Sequence, residues 1–422
     1  MSLCSLLAVP LAMAALVSAV VGLAVCLHDL LRRRVHLPSL HYRDSTLSAR
    51  VLTKCGLRQR VFSPPFWLRS GHAQTLAASL LPRGDGSAEL CFEREYLQMR
   101  DKGVVALDWL TGSAPKTRRK GTVLIVLPPV TGDAMTVASL CHLATRRGFK
   151  AVVFNRRGHG GSVLTTPRMQ SSGDPTDLRQ VVKYLRLRFP RNKLAAVAYG
   201  TGCGLLISYL GEFGSSAILS AGACVSPCYD TSERFSGPLK SVYDLVYLLK
   251  LKAILCSHAK ALHGVVNVTQ ALQAWDFTTY EERVYCRMYT PAPGCTSTAP
   301  GVTPCATHCS SAVANTMEDY WERNNPIRDV DDIAVPVLCI NSLDDPFYAG
   351  ASIPYDLFNC CPNFLLVVTE KGGHCGFLEG FPLRSWADRL CLDYLEAVME
   401  ITTKGYSSTC SNGTRCHARS TI

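Results

Sequence analysis

The chain predicts an α/β fold, a mostly parallel central sheet flanked by helices, and two observations carry that expectation. Short apolar runs at 123–127, 151–154, 194–197, 221–225, 337–340 and 364–368 alternate with stretches of helical periodicity at 135–147, 176–189, 204–210 and 386–400; short runs bounded by polar residues read as strands and longer periodic ones as helices. An alternation of this kind buries a parallel sheet between two helical layers. With 422 residues, 47% of them hydrophobic, the chain has enough apolar surface for one large domain once its termini are set aside.

The elements follow in order. Residues 2–27 contain no charged side chain and are long enough to span a bilayer core, which takes about 20 helical residues. Arg32-Arg33-Arg34 comes directly afterwards, so the positive-inside rule places the body in the cytosol and the extreme N-terminus across the membrane. Residues 1–34 are therefore expected to be a membrane anchor with a basic flank; the alternative is a cleaved signal and a secreted protein. Residues 60–400 form the globular domain, opened by an antiparallel hairpin within 90–110. Between the runs ending near 225 and beginning near 335 lie about a hundred residues, more than a simple crossover needs, so a helical cap insertion is expected over about 228–330. Residues 401–422 read as a disordered polar tail.

The strand at 194–197 runs into Ala198-Tyr199-Gly200-Thr201-Gly202, and an apolar helix opens at Cys203. A strand, sharp turn and helix form the context of the Gly-x-Ser-x-Gly nucleophile elbow, and here glycine stands where the serine should be. The elbow conformation costs an ordinary residue about 1 to 3 kcal/mol, whereas glycine adopts it freely. Gly200 therefore preserves the turn while removing the hydroxyl. The other two members of a triad are legible downstream. Asn341-Ser342-Leu343-Asp344-Asp345-Pro346 follows an apolar strand, and Asp344 is the expected acid, with Asp345 as the second choice. Lys371-Gly372-Gly373-His374-Cys375-Gly376-Phe377 follows the next one, with His374 as the expected base. Thr201 lies one residue past the apex with its hydroxyl expected to point away from His374. Cys203 is expected to face the sheet as a small apolar group.

Four motifs in sequence order extend this reading. They are Gly71-His72-Ala73-Gln74-Thr75, Asn155-Arg156-Arg157-Gly158-His159-Gly160-Gly161, Thr166-Pro167-Arg168 and the segment from Gly372 to Gly380. In them the chain resembles the YheT-like (AB hydrolase 4) group of α/β-hydrolases from about 64 to about 400. The resemblance implies the α/β-hydrolase fold and kinship with membrane-anchored lipid and ester hydrolases, and the membrane expected to hold this chain's anchor is that of the endoplasmic reticulum. Relatives in this group carry His-Gly-x-Thr-Gly after the third strand, and this chain carries Pro128-Pro129-Val130-Thr131-Gly132. The backbone N–H groups of Val130 and Thr201 are the expected oxyanion donors. Pro129 lacks an N–H and stiffens the approach to Val130.

The remaining composition narrows the function classes. The formal charge of +11, beside an apolar anchor, favours attraction to anionic lipid over nucleic-acid binding. The 20 cysteines are scattered through expected strands and helices, which reads as buried thiols rather than a disulfide framework. Cys295, Cys305, His308 and Cys309 lack the paired spacing of a structural zinc site, so no metal is expected, and no cofactor fingerprint is present. The sequons Asn267-Val268-Thr269 and Asn412-Gly413-Thr414 weigh weakly toward a lumenal location. The resulting expectation is a membrane-anchored protein without its nucleophile, acting as a binding or regulatory component of lipid metabolism. Its expected partners are membrane lipid, a lipid or acyl ligand and a protein, with no nucleic acid. The alternatives are an active carboxyl-ester or acylglycerol hydrolase using a displaced nucleophile, and a secreted hydrolase-like protein.

Overall fold

The computed structural model describes residues 37–80, 91–111, 121–229, 240–289, 317–348 and 350–411, together with a few helical residues between 13 and 24. One sheet organises the domain. Its strands are β1 (Ser39–Tyr42), β2 (Cys91–Gln98), β3 (Val104–Thr111), β4 (Thr122–Leu127), β5 (Phe149–Asn155), β6 (Lys193–Tyr199), β7 (Ala221–Val225), β8 (Val337–Ser342) and β9 (Phe364–Thr369). They lie in the order β1-β9-β8-β7-β6-β4-β5-β3-β2. The six apolar runs are β4 to β9, parallel to one another throughout. The expected opening hairpin is β2 and β3, antiparallel to each other and joined to β5.

The helices are α1 (Thr46–Cys55), α2 (Gly71–Leu80), α3 (Ala138–Arg146), α4 (Thr176–Arg188), α5 (Thr201–Phe213), α6 (Lys240–Ser257), α7 (Val268–Leu272), α8 (Phe277–Glu281), α9 (Met317–Asn324), α10 (Tyr355–Cys360) and α11 (Trp386–Ser411). Successive strand residues face opposite layers. Leu124 and Val126 of β4 pack with α1, α3 and α11, whereas Val123, Ile125 and Leu127 pack with α4, α5 and α10. Because both faces are covered, the central strands carry no polar alternation and read as continuous apolar runs. Cys141, Cys203, Cys224, Cys339 and Cys391 are buried free thiols within these layers, as their scattering predicted.

The cap rises between β7 and β8. It contains α6, α7 and α8, the latter continued by a π-turn (Glu282–Cys286) and a last helical turn (Arg287–Tyr289), and then α9. Its own core of Leu248, Leu251, Leu255, Tyr280, Val284 and Tyr320 reaches Val130 and Met169 of the body.

Two boundaries differ from the sequence reading. The sheet begins at β1, which pairs antiparallel with β9 ahead of the expected start at 60; four residues of mixed polarity give no periodic signal. Helix α11 runs to Ser411, past the expected end at 400, and residues 412–422 lie outside the described ones. The expected anchor lies largely outside them too, and those of its residues that are described, including Met13, Val17, Val20 and Leu23, are helical and exposed. Among the described residues no helix is long and apolar enough to cross a membrane. Cys295, Cys305, His308 and Cys309 fall outside the described residues.

Candidate functional site

The sheet reverses direction of growth at β4, which has β5 on one side and β6 on the other. Loops leaving the C-terminal ends of strands at such a switch point converge on one crevice. Here these are the Pro128–Gly132 segment after β4 and the elbow after β6.

Gly200 is the elbow apex, with φ 50° and ψ −121°, a region of backbone space that side chains strain to enter. Its N–H donates to the Val225 carbonyl at 2.9 Å, and its own carbonyl accepts from Cys203 N at 3.0 Å. A Cβ placed on Gly200 would stand 3.0 Å from Nε2 of His374 and 3.6 Å from Cβ of Pro129. The apex therefore faces the expected histidine, with glycine in the nucleophile's place. Gly202 serves a different purpose, since a Cβ there would lie 2.5 Å from the Leu127 carbonyl oxygen. Its missing side chain lets α5 pack directly on the end of β4.

His374 is held from several sides. Its backbone N–H donates to Thr75 Oγ1 at 2.9 Å, and its ring stacks on Phe347 with centroids 4.4 Å apart. Cys375 and Phe377 both take positive φ, 54° and 49°; the loop is kept there by the Cys375 N–H bond to Ser226 Oγ at 2.9 Å and by burial of the Phe377 ring against Trp386. The carboxylate partner of His374 is Asp345, whose Oδ2 lies 2.9 Å from Nδ1. This corrects the expectation for Asp344. The Asp344 side chain turns the other way, and its Oδ1 accepts from Gly373 N at 2.9 Å. Adjacent residues in a turn point in different directions, and Gly71 packs so close to the Asp344 backbone that an added Cβ there would collide with the Asp344 carbonyl. The second oxygen of Asp345 accepts from Phe347 N at 2.8 Å and Tyr348 N at 3.3 Å. Burial opposes a charge on His374, but the Asp345 carboxylate outweighs it and holds the ring's pKa well above its ordinary 6.5.

The two expected oxyanion residues are adjacent. Val130 N–H donates to Thr201 Oγ1 at 2.7 Å, and the Thr201 carbonyl accepts from Arg156 at 2.7 Å. The Thr201 hydroxyl is thus turned toward the loop after β4. Cys203 is fully buried, its thiol directed at the Val225 carbonyl at 3.4 Å. Burial pushes its pKa up, which removes the thiolate a nucleophile needs.

The motifs that carried the family resemblance prove to be scaffolding around this centre. In α2, Thr75 donates to the Gly71 carbonyl at 2.7 Å while supporting His374, and Gln74 makes two bonds to the Leu378 backbone, at 3.0 and 2.8 Å. His72 Nδ1 lies 2.7 Å from the Tyr243 hydroxyl of α6, and Tyr243 stands 5.0 Å from Phe347. A row of rings, His72, Tyr243, Phe347 and His374, therefore joins the cap to the body. In the Asn155–Gly161 segment, Arg157 pairs with buried Asp177 and with Asp101, both at 2.6 Å. His159 lies 3.2 Å from the Tyr285 hydroxyl of the cap. Arg168 pairs with Asp174 at 2.8 Å and covers the Tyr289 ring at 4.6 Å. Sequence reasoning attached no role to these side chains, because the partners that explain them lie from 6 to 304 positions away in the chain. Among the described residues no cluster of histidine, cysteine and carboxylate side chains could hold a metal ion.

The parallel sheet, the glycine elbow and the acid and histidine loops together define an α/β-hydrolase scaffold. The chain belongs to the ABHD family of α/β-hydrolases. It is 38% identical over 346 residues to the human protein ABHD15, covering 80% of this chain and 69% of that one. It is 27% identical to the human phospholipase ABHD3, over 86% of this chain and 85% of that one, and 26% identical to the monoacylglycerol lipase ABHD2 of Mus musculus, over 86% of each. Among solved structures it is similar to the Pyrococcus furiosus esterase Pf2001, with a TM-score of 0.45 and 17% identity, over 75% of this chain and 96% of that one. No family model matches the chain.

Proposed function

We propose that this protein is a membrane-associated, non-catalytic member of its hydrolase family that binds a lipid or acyl ligand, or a protein partner, in lipid metabolism. One observation carries the reading. At the apex facing His374, where acyl transfer requires a hydroxyl or thiol, the chain has only the hydrogen of Gly200. Thr201 and Cys203, the two side chains the sequence offers next to the apex, direct themselves to the Val130 N–H and the Val225 carbonyl instead. The names of the relatives, a phospholipase and a monoacylglycerol lipase, supply the lipid class of the ligand.

The cap supports the membrane part of the proposal. Helix α6 exposes Val242, Leu245, Val246 and Leu249, each about half accessible, at the i, i+3, i+4, i+7 spacing of one helix face. A contiguous apolar stripe left in solvent marks a lipid or partner surface, and here it adds to the anchor expected over residues 1–34.

The experiment is an assay of purified full-length protein on short-chain esters and monoacylglycerol, beside its His374→Ala variant, with vesicle flotation of wild type and Leu245→Asp/Leu249→Asp. The expected result is no turnover above background, and weakened flotation on anionic vesicles for the double variant. Turnover abolished by His374→Ala establishes instead the active-hydrolase alternative, for which the retained Asp345–His374 pair is the supporting observation.

A further inference from the structure

An acyl-transfer site needs two things at the elbow, a nucleophile and a pair of N–H groups left open for the developing oxyanion. The second is as altered as the first. The Val130 N–H, one of the two expected donors, is bonded at 2.7 Å to the side-chain oxygen of Thr201, the residue that should provide the other. We propose that the Thr201 hydroxyl occupies the oxyanion position, so that the chain supplies a resident oxygen ligand to the donor that a working site reserves for substrate. The proposal rests on the non-catalytic reading above and adds a lesion independent of Gly200.

The arrangement is held from both ends. A backbone N–H carries one hydrogen, and 2.7 Å is the short end of the range for N–H···O bonds, so a substrate oxygen must displace the hydroxyl to use it. Thr201 is the first residue of α5, and Arg156 fixes its carbonyl at 2.7 Å. Its β-branched side chain has few rotamers in a helix. On the other side Pro129 sets its own φ, and its carbonyl accepts from Gly132 N at 2.8 Å, closing the turn that presents Val130. A Cβ at Gly132 would stand 3.0 Å from Pro129 Cγ, so this turn has no slack. Val130 is buried beneath the cap core, which leaves little water to compete for its N–H. Restoring a serine at Gly200 therefore rebuilds the nucleophile over a donor that is already occupied.

Two measurements on the full-length chain test this. The first follows the Val130 amide by NMR of protein labelled with 15N-valine, its resonance identified by its loss in Val130→Ile. In Thr201→Val, which keeps the shape and removes the acceptor, the amide proton is expected to move upfield and exchange at least about tenfold faster than in wild type. Thr201→Ser is expected to retain both properties. An unchanged amide in Thr201→Val overturns the proposal. The second measurement follows labelling by a fluorophosphonate at alkaline pH. In that reaction the serine Oγ–P bond forms as the P–F bond breaks, fluoride leaves with the electron pair, and the hydroxyl proton passes to His374 Nε2. Gly200→Ser/Thr201→Ala is expected to label about a hundredfold faster than Gly200→Ser, the effect of one oxyanion donor, and Gly200→Ser/Thr201→Ser to stay as slow as Gly200→Ser. Equal rates in Gly200→Ser and Gly200→Ser/Thr201→Ala, zero included, overturn the claim that Thr201 limits the site. Failure of the non-catalytic reading looks different: it is His374-dependent ester turnover by the unaltered chain, and it leaves the Val130 amide result where it stands.

Discussion

Nδ1 of His374 lies 2.9 Å from Oδ2 of Asp345, while the adjacent Asp344 gives its carboxylate to the Gly373 amide. The pair closes the histidine loop onto the turn after β8 and seats His374 beneath Phe347.

That role predicts different outcomes for the two acids. Asp345→Asn should lower the His374 pKa by about a unit or more, read from its ring proton in an NMR titration, and Asp344→Asn should leave it nearly unchanged. The sign of the stability effect follows. The folded pKa of His374 lies above the unfolded value near 6.5, so its contribution is complete below that value and fades as pH rises through the folded pKa. The gap in urea midpoint between wild type and Asp345→Asn should be widest near pH 6 and narrow under alkaline conditions.

His159 predicts acid lability. Burial, with a smaller push from the Arg156 charge and from His258, pulls its pKa down to about 3, so the folded state keeps the ring neutral beside Tyr285. A depressed histidine contributes stability that is complete above the unfolded pKa and lost as pH falls. Unfolding free energy should therefore fall steadily from roughly pH 6 toward pH 3 on account of this residue. His159→Gln should flatten the pH dependence of the urea midpoint across that interval; an unchanged slope would show that other groups carry it.

Arg157 should be among the most sensitive positions outside the elbow. It and Asp177 are both nearly inaccessible, and they are joined by two hydrogen bonds of 2.9 and 2.6 Å. Arg157→Met leaves the Asp177 carboxylate buried without its counter-charge, a change expected to cost about 3 to 5 kcal/mol in denaturant unfolding. The double variant Arg157→Met/Asp177→Leu should recover much of the loss, because removing both charges also removes the desolvation cost.

Two glycines two residues apart should respond unequally. Gly200→Ser must accept a positive φ, costing about 1 to 3 kcal/mol, and push His374 back by a few tenths of an ångström from a Cβ that would otherwise sit at 3.0 Å. It should fold. Gly202→Ala places a Cβ 2.5 Å from the Leu127 carbonyl oxygen, and backbone there cannot yield without parting α5 from β4. Thermal melts should show the larger loss for Gly202→Ala, and the reverse order would mean that the elbow is not the tight element the geometry describes.

Much of this was legible in the residues alone. The strands β4 to β9 are continuous apolar runs because both their faces are covered, and the positions of Gly200 and His374 follow from strand ends and glycine turns. The strand β1 was not legible, since four residues of mixed polarity become a strand only by pairing with β9. Nor were the roles of Thr75, Gln74, Arg157 and His159, each of which acts through a partner distant in the chain.

By itself, then, the sequence determined the α/β class, the order of the sheet-forming segments, and the absence of a nucleophile at the elbow, because short-range periodicity and residue identity are local properties. Tertiary structure alone decided that Asp345 rather than Asp344 serves His374, that the Thr201 hydroxyl takes the Val130 N–H, and that the cap meets His374 through Tyr243 and Phe347. Each of those outcomes depends on the direction in which a side chain points. That direction is set by what lies across the crevice, brought there from as far as 299 positions away in the case of Thr75 and His374, and no local pattern encodes it.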